Sequence, residues 1–180
     1  GIKMYYTFNY LSPLGDITLA SDGQDLTGLW FDGQKYFGGN LPAEHTKKQL
    51  RIFEQTIKWL DVYFFGKAPD FTPPLSMKGI SLFRKRIWEI MLEIPFGQVA
   101  TYGQIAKQIA AETGKQVSAQ AVGGAVGHNS ISLIIPCHRV VGSDGNITGY
   151  AGGIDKKFAL LKMEGADISK LIIPKNETAH

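Results

Sequence analysis

The chain has 180 residues, 44% of them hydrophobic, and a formal net charge of +3, which is enough apolar side chain to bury the core of one large or two small domains. No apolar run approaches the roughly 18 to 20 residues of a membrane span, and the N-terminus lacks the basic, apolar and small-residue regions of a signal peptide, so the cytoplasm is the expected compartment. A single cysteine excludes an internal disulfide and a cysteine-rich zinc site, and a pI near 8.9 suits a polyanionic partner without requiring one.

Residues 3 to 32 predict a β-meander. Lys3–Tyr10, Ile17–Ser21 and Leu26–Phe31 are rich in β-branched and aromatic residues, with turns at Ser12-Pro13-Leu14-Gly15 and Asp22-Gly23. From Thr46 to Phe64 the apolar positions Leu50, Phe53, Ile57, Leu60 and Phe64 recur at spacings of three and four, the mark of an amphipathic helix that covers one sheet face. Pro69, Pro73 and Pro74 then predict an extended linker, because proline neither continues a helix nor donates to a ladder.

Beyond Pro74 the texture becomes helical: Ile80–Glu93, Tyr102–Glu112, Ala119–Gly127 and Asp155–Glu164. Thr101 and Gln104 fit a capping box, Ser118 is a plausible N-cap, and a turn around Gly114 makes the middle pair a helix-turn-helix. Ser143-Asp144-Gly145-Asn146 predicts a hairpin turn. The expected class is α+β. A small meander and helix form an N-terminal domain (1–74), a mainly helical domain follows (75–168), and 169–180 form a poorly ordered tail.

The most informative string is Ile134-Ile135-Pro136-Cys137-His138-Arg139-Val140. Pro136 fixes its own φ and stiffens the backbone that presents the thiol. Two readings stand at this point: a small buried apolar side chain, or a nucleophile with a base beside it. Neighbouring side chains of an extended strand face opposite ways. His138 therefore reaches the thiol through a bridging water or a sharp local turn, and its work is to raise the fraction of thiolate, the attacking species.

The string Ile135-Pro136-Cys137-His138-Arg139-Val140-Val141 resembles the active-site signature of the methylated-DNA–protein-cysteine methyltransferases, also called O6-alkylguanine-DNA alkyltransferases. The resemblance extends to Val99-Ala100-Thr101-Tyr102-Gly103-Gln104-Ile105-Ala106, Ala121-Val122-Gly123-Gly124-Ala125, Asn129, Gly149-Tyr150-Ala151-Gly152-Gly153 and Lys162-Met163-Glu164-Gly165, in the family's order. It is dense over 80–166 and loose before that.

That resemblance implies one irreversible transfer. Cys137 takes the alkyl group from O6-alkylguanine, with O4-alkylthymine a further candidate, and keeps it as a stable thioether. His138 is implied as the base acting through a water, Glu164 as the carboxylate that orients it, and Tyr102 as the proton donor to the leaving base. Val140, Tyr150, Ala151 and Gly152 are implied to line the base pocket, with Asn129 tying the turn beneath. No cofactor or metal is expected.

The implied partner is double-stranded DNA bound by a monomer, with no membrane involved. Ala119, Gln120, Ala121, Gly123, Gly124 and Arg139 are the candidate DNA-binding residues. The second helix carries no charge, and its small residues suit close approach to a shallow groove, which the resemblance implies is the minor groove, with phosphate contacts expected from about two of Arg84, Lys85, Arg86, Lys107 and Lys115. Gln120 stands where the best-known members carry arginine, and Ala151 where serine is frequent. Two other classes compete: a cysteine hydrolase, which would turn over and regenerate its thiol, and a non-catalytic lesion binder or regulator, against which Cys137 argues.

Overall fold

A computed structural model describes residues 3–173. The chain divides into two compact units. One holds the residues up to Gly79 together with Ser130–Ile134, and the other holds Ile80–Asn129 and the residues from Ile135 onward. The break thus falls at Gly79, where a boundary near Pro74 was expected, and a five-residue segment from the second half of the sequence joins the first unit.

In the first unit, β1 (Tyr6–Ser12), β2 (Gly15–Ser21) and β3 (Leu26–Phe31) form the expected meander, with Ser12 opposite Gly15 and Ile17 opposite Phe31. A short β4 (Thr46–Lys47) pairs parallel to β1, giving the order β3-β2-β1-β4. This corrects the expected helix start at Thr46. The helix α1 runs Arg51–Phe64, because Thr46 and Lys47 spend their backbone on the sheet edge.

The apolar spacing does form a helix, but its buried stripe is rotated to Ile52, Phe53, Thr56, Trp59, Leu60 and Tyr63, so that Leu50, Ile57 and Phe64 are only half-buried. Large aromatics set that face, and Thr56 satisfies its buried hydroxyl on the Ile52 carbonyl at 2.8 Å. Stacking of Phe8 on Phe53 and a Tyr10–Asp61 hydrogen bond of 2.6 Å fasten the helix to β1. All of β3 is buried, because its free edge is taken up by two other segments. Leu26 bonds Pro74 and Ser76, while Leu29 bonds Ser130 and Ser132.

The second unit contains α2 (Leu82–Leu92), β5 (Ala100–Thr101), α3 (Tyr102–Thr113), α4 (Ala119–Gly127), β6 (Val140–Val141) and α5 (Ile154–Met163). Thr101 and Gln104 form the capping box, and Ser118 caps α4 by accepting from Ala121 N–H. Gly114, at φ 72, ends α3 in the left-handed conformation and turns the chain toward α4. The Trp88 indole donates to Ala125 O at 3.0 Å and ties α2 to α4.

The positioning element is the smallest. β5 and β6 pair in parallel, Ala100 with Val140 and Thr101 with Val141. Since α3 begins at Tyr102 directly after β5, this pairing brings the start of α3 beside the turn that precedes β6.

Two expectations are corrected here. Asp144 and Gly145 do turn through positive φ, at 61° and 82°, but the turn closes no hairpin. Gly142 bonds Asn146, and Ile147 and Gly145 bond Ile172. The same bonds order part of the expected tail, with a short turn at Ile168–Lys170. Residues 174–180 lie outside the described residues.

Candidate active site

Cys137 is presented by two successive tight turns. Pro136, at φ −82° and ψ 69°, sits at the centre of an inverse γ-turn in which Cys137 N–H donates to Ile135 O at 2.8 Å. A single 3₁₀ turn over Cys137–Arg139 follows, with Val140 N–H donating to Cys137 O. The Asn129 side chain donates to the same Ile135 carbonyl at 2.8 Å, clamping the segment that leads into the turn. Cys137 itself is 5% exposed.

His138 and Glu164 are fully buried at their side chains, and His138 Nε2 stands 2.6 Å from Glu164 Oε2. Glu164 is the residue at which α5 ends. Its carboxylate accepts three more bonds: Arg139 Nε at 2.8 Å, Arg139 Nη2 at 3.2 Å and Gly97 N–H at 3.0 Å. Burial alone would raise this carboxyl, but His138 and Arg139 outweigh it and bring the pKa to about 2. The His138 imidazole is pushed down by burial, with Arg139 and Lys157 adding repulsion against the pull of Glu164. The pair therefore holds a neutral imidazole against an anionic carboxylate. With Nε2–H donating to Glu164, Nδ1 is the basic nitrogen.

Arg139 was expected to face DNA, and the structure places it inside instead. It is 8% exposed, donates Nη1 to Ile94 O at 2.7 Å, and lies over the Phe96 ring. Its charge is matched by Glu164, because a guanidinium taken out of water needs a carboxylate and a filled set of acceptors. The Pro95-Phe96-Gly97 turn thus furnishes a ring and an amide to this network, and Ile94 just before it furnishes the acceptor. Gly97 is at φ 83°, and a Cβ there would meet Glu164 O at 3.0 Å, so the turn requires glycine twice over.

Tyr102 opens α3 and donates its hydroxyl to Thr148 O at 3.2 Å. Burial, with the charge of Cys137 added, raises its pKa, so the phenol stays protonated. Lys157 is not singled out by the sequence. It is wholly buried, donates to the same Thr148 carbonyl at 2.9 Å, and lies 5.8 Å from the Tyr102 ring centre. Burial lowers its pKa to about 8 against the pull of Cys137. Only the phase of α5 could have flagged it.

Tyr150 is buried, Ala151 and Gly152 are half-buried, and the loop closes through Gly153 N–H on Tyr150 O at 2.9 Å. Val140 is buried in β6, with its N–H already spent on Cys137 O. On α4, Ala119, Gln120, Ala121 and Gly124 are exposed. Gly123 faces inward, and a Cβ there would touch the Tyr102 ring at 3.9 Å, so α4 lies directly against the residue that opens α3. Of the five flanking cations, Arg86 is engaged by Glu112 at 2.9 Å, whereas Lys85, Lys107 and Lys115 are exposed.

One unit therefore combines a thiol on a tight turn, a neutral histidine backed by a carboxylate, and an uncharged helix of small residues at the surface. That is the make-up of a thiol-based group-transfer protein. Residues 82–166 match the family described as 6-O-methylguanine DNA methyltransferase, DNA binding domain, and residues 4–77 match its ribonuclease-like domain. The methylated-DNA–protein-cysteine methyltransferase of Mycobacterium tuberculosis is 41% identical over 153 residues, covering 85% of this chain and 88% of the relative. That of Haemophilus influenzae is 38% identical over 162 residues, covering 89% and 86%.

Among solved structures, the Mycobacterium tuberculosis O6-methylguanine methyltransferase superposes with a TM-score of 0.77 at 40% identity, over 90% of this chain and 93% of that one. The Mycobacterium tuberculosis OGT in complex with DNA matches with the same TM-score at 38% identity, over 92% and 94%. The chain belongs to the methylated-DNA–protein-cysteine methyltransferase family, a family of DNA-repair proteins. Among the described residues, no helix is long and apolar enough to cross a membrane.

Proposed function

We propose that this protein repairs double-stranded DNA by taking the alkyl group of O6-alkylguanine onto Cys137 in one irreversible step. The Cys137 sulfur attacks the alkyl carbon, the carbon–oxygen bond to guanine breaks, and guanine leaves with the bonding electrons. His138 removes the thiol proton through a water, held in its neutral tautomer by Glu164. Tyr102 supplies a proton as charge builds on the leaving base. The product is a thioether, which water does not cleave, so each molecule acts once.

The reactive carbon is shielded inside a duplex, so the base must be flipped out. α4 is the element suited to reach it. Its exposed face of Ala119, Gln120, Ala121 and Gly124 is smooth enough to enter a minor groove, and it forms a helix-turn-helix with α3. Gln120 fills the gap left in the stack, while Lys85, Lys107 and Lys115 are the cations open to phosphates. Tyr150, Ala151, Gly152 and Val140 line the pocket, and Asn129 holds the turn beneath it.

The observation that carries this reading is the buried Cys137 turn backed by the His138–Glu164 pair at 2.6 Å. The experiment is to incubate the protein with a duplex containing O6-methylguanine, measure its intact mass and map the modified peptide. A gain of one methyl group on the Cys137 peptide, at one equivalent and no more, is the expected result. No gain, methylation elsewhere, or many turnovers would overturn it. A duplex with O4-methylthymine tests the second lesion in the same way.

A further inference from the structure

The Tyr150 ring is buried against the pocket that the proposed reaction uses. Its hydroxyl is the anomaly. The residue is 2% exposed, and the hydroxyl oxygen has no hydrogen-bond partner among the described residues. Buried hydroxyls are nearly always paired, and an orphan at a reaction centre marks a partner that arrives with the chemistry. A phenylalanine would pack the same ring without desolvating an oxygen.

The surroundings indicate which partner. Burial raises the Tyr150 pKa well above the ordinary tyrosine value, and the negative charges of Cys137 and Glu164 add to it. The hydroxyl therefore stays protonated, able to donate one bond and accept another, and is unsuited to act as a base. Cys137 acts on Tyr102 and Lys157 as well, and the difference between them and Tyr150 lies in their hydrogen bonds. Tyr102 and Lys157 share the Thr148 carbonyl. Tyr150 thus keeps a hydroxyl uncommitted among the described residues, whereas Tyr102 is the phenol assigned to the base.

We infer that the Tyr150 hydroxyl is a positioning group for proton removal: it hydrogen-bonds the water that carries the Cys137 proton to His138. The inference rests on the alkyl-transfer reading above. A water between a thiol and an imidazole is fixed by only two neighbours, and a third polar contact holds its lone pair and its hydrogens in the directions the transfer needs. The proton leaves Cys137 Sγ for the water oxygen, and a water proton passes to His138 Nδ1. Tyr150 gains and loses nothing.

The test is Tyr150→Phe in the full chain, with three readouts: urea unfolding, affinity for a duplex containing O6-methylguanine, and the single-turnover rate of methyl transfer against pH. Stability and affinity are expected to stay within about twofold of the parent in equilibrium terms. The rate is expected to fall about tenfold at neutral pH. That deficit shrinks as the pH rises and bulk hydroxide takes over removal of the thiol proton.

The titratable and charged groups around the site are Cys137, His138 and Arg139 on the turn, Glu164 and Lys157 on α5, and Tyr102 on α3. All are common to both proteins, so a difference between the profiles belongs to the hydroxyl. An unchanged rate at every pH overturns the inference. So does weaker lesion binding with an unchanged saturating rate, which would make the hydroxyl a reader of the base. A loss of stability also overturns it, because the hydroxyl would then have a partner within the fold. Failure of the alkyl-transfer reading is seen separately, as no methyl on Cys137 in the parent protein.

Discussion

His138 Nε2 and Glu164 Oε2 lie 2.6 Å apart with both side chains fully buried, and Arg139 grips the same carboxylate through Nε at 2.8 Å. One carboxylate thus serves a base and a cation at once. Arg139 keeps Glu164 ionised, and the ionised Glu164 fixes the tautomer of His138. Glu164→Gln retains the shape and removes the charge, leaving the Arg139 guanidinium buried without a counterion. The variant is expected to lose about 3 kcal/mol of stability and about tenfold or more in transfer rate, read by urea unfolding and single-turnover kinetics. A rate equal to the parent's would remove Glu164 from the proton path.

Acid should expose the same pair. The Glu164 carboxyl is depressed from an ordinary 4.5 to about 2, so its stabilisation is fully present above pH 4.5 and is lost as pH falls through 2. His138 is also depressed. The unfolded chain takes up that proton below about 6.5 while the folded chain resists it, which acts in the same direction. Unfolding free energy measured from pH 7 to pH 3 should fall steadily, and more steeply than in Glu164→Gln.

Asn129 donates to Ile135 O inside the second unit, at the segment leading into the Cys137 turn. Asn129→Ala removes a buried bond and is expected to cost about 1–3 kcal/mol. Because the turn that presents the thiol is loosened, the transfer rate should fall as well. Stability lost with the rate intact would confine Asn129 to a scaffold role.

Gln120 is exposed near the start of α4 and brings no charge. Gln120→Arg adds one cation where DNA is expected, so affinity should rise and the plot of log affinity against log salt should steepen by about 0.9. If both stay at the parent values, α4 does not approach the phosphates.

Lys157 has no carboxylate within ion-pair distance among the described residues, and its pKa is lowered to about 8. Replacing it with the similarly long, uncharged methionine should raise stability by about 1 kcal/mol, since an isolated buried charge is costly. The same change withdraws a cation that acts on Cys137, and transfer should slow. A Lys157→Met protein that is less stable than the parent would mean that the Thr148 contact outweighs the desolvation.

Local signals were written plainly in the sequence. Alternating strands around Pro13-Leu14 define a hairpin by themselves, Thr101 with Gln104 is a capping box in any helical context, and Gly114 stops α3, because these devices act over four residues or fewer. The string around Cys137 marked the thiol with His138 beside it, and resemblance supplied Tyr102 and Glu164. Nothing local placed Glu164 beside His138, since 26 residues separate them and a carboxylate at a helix end is ordinarily solvated.

What the sequence determined alone was therefore the meander, the main helices and the single thiol. The tertiary structure decided the electrostatics. Parallel pairing of Ala100–Thr101 with Val140–Val141 brings Tyr102 to the thiol turn, and closure of α5 carries Glu164 and Lys157 inward. Arg139, read as a DNA contact, became an internal counterion, and the inconspicuous turn at Gly97 became one of its supports. Charge and burial are properties of neighbours distant in sequence, and a residue's pKa, pairing and exposure exist only once those neighbours have been folded against it.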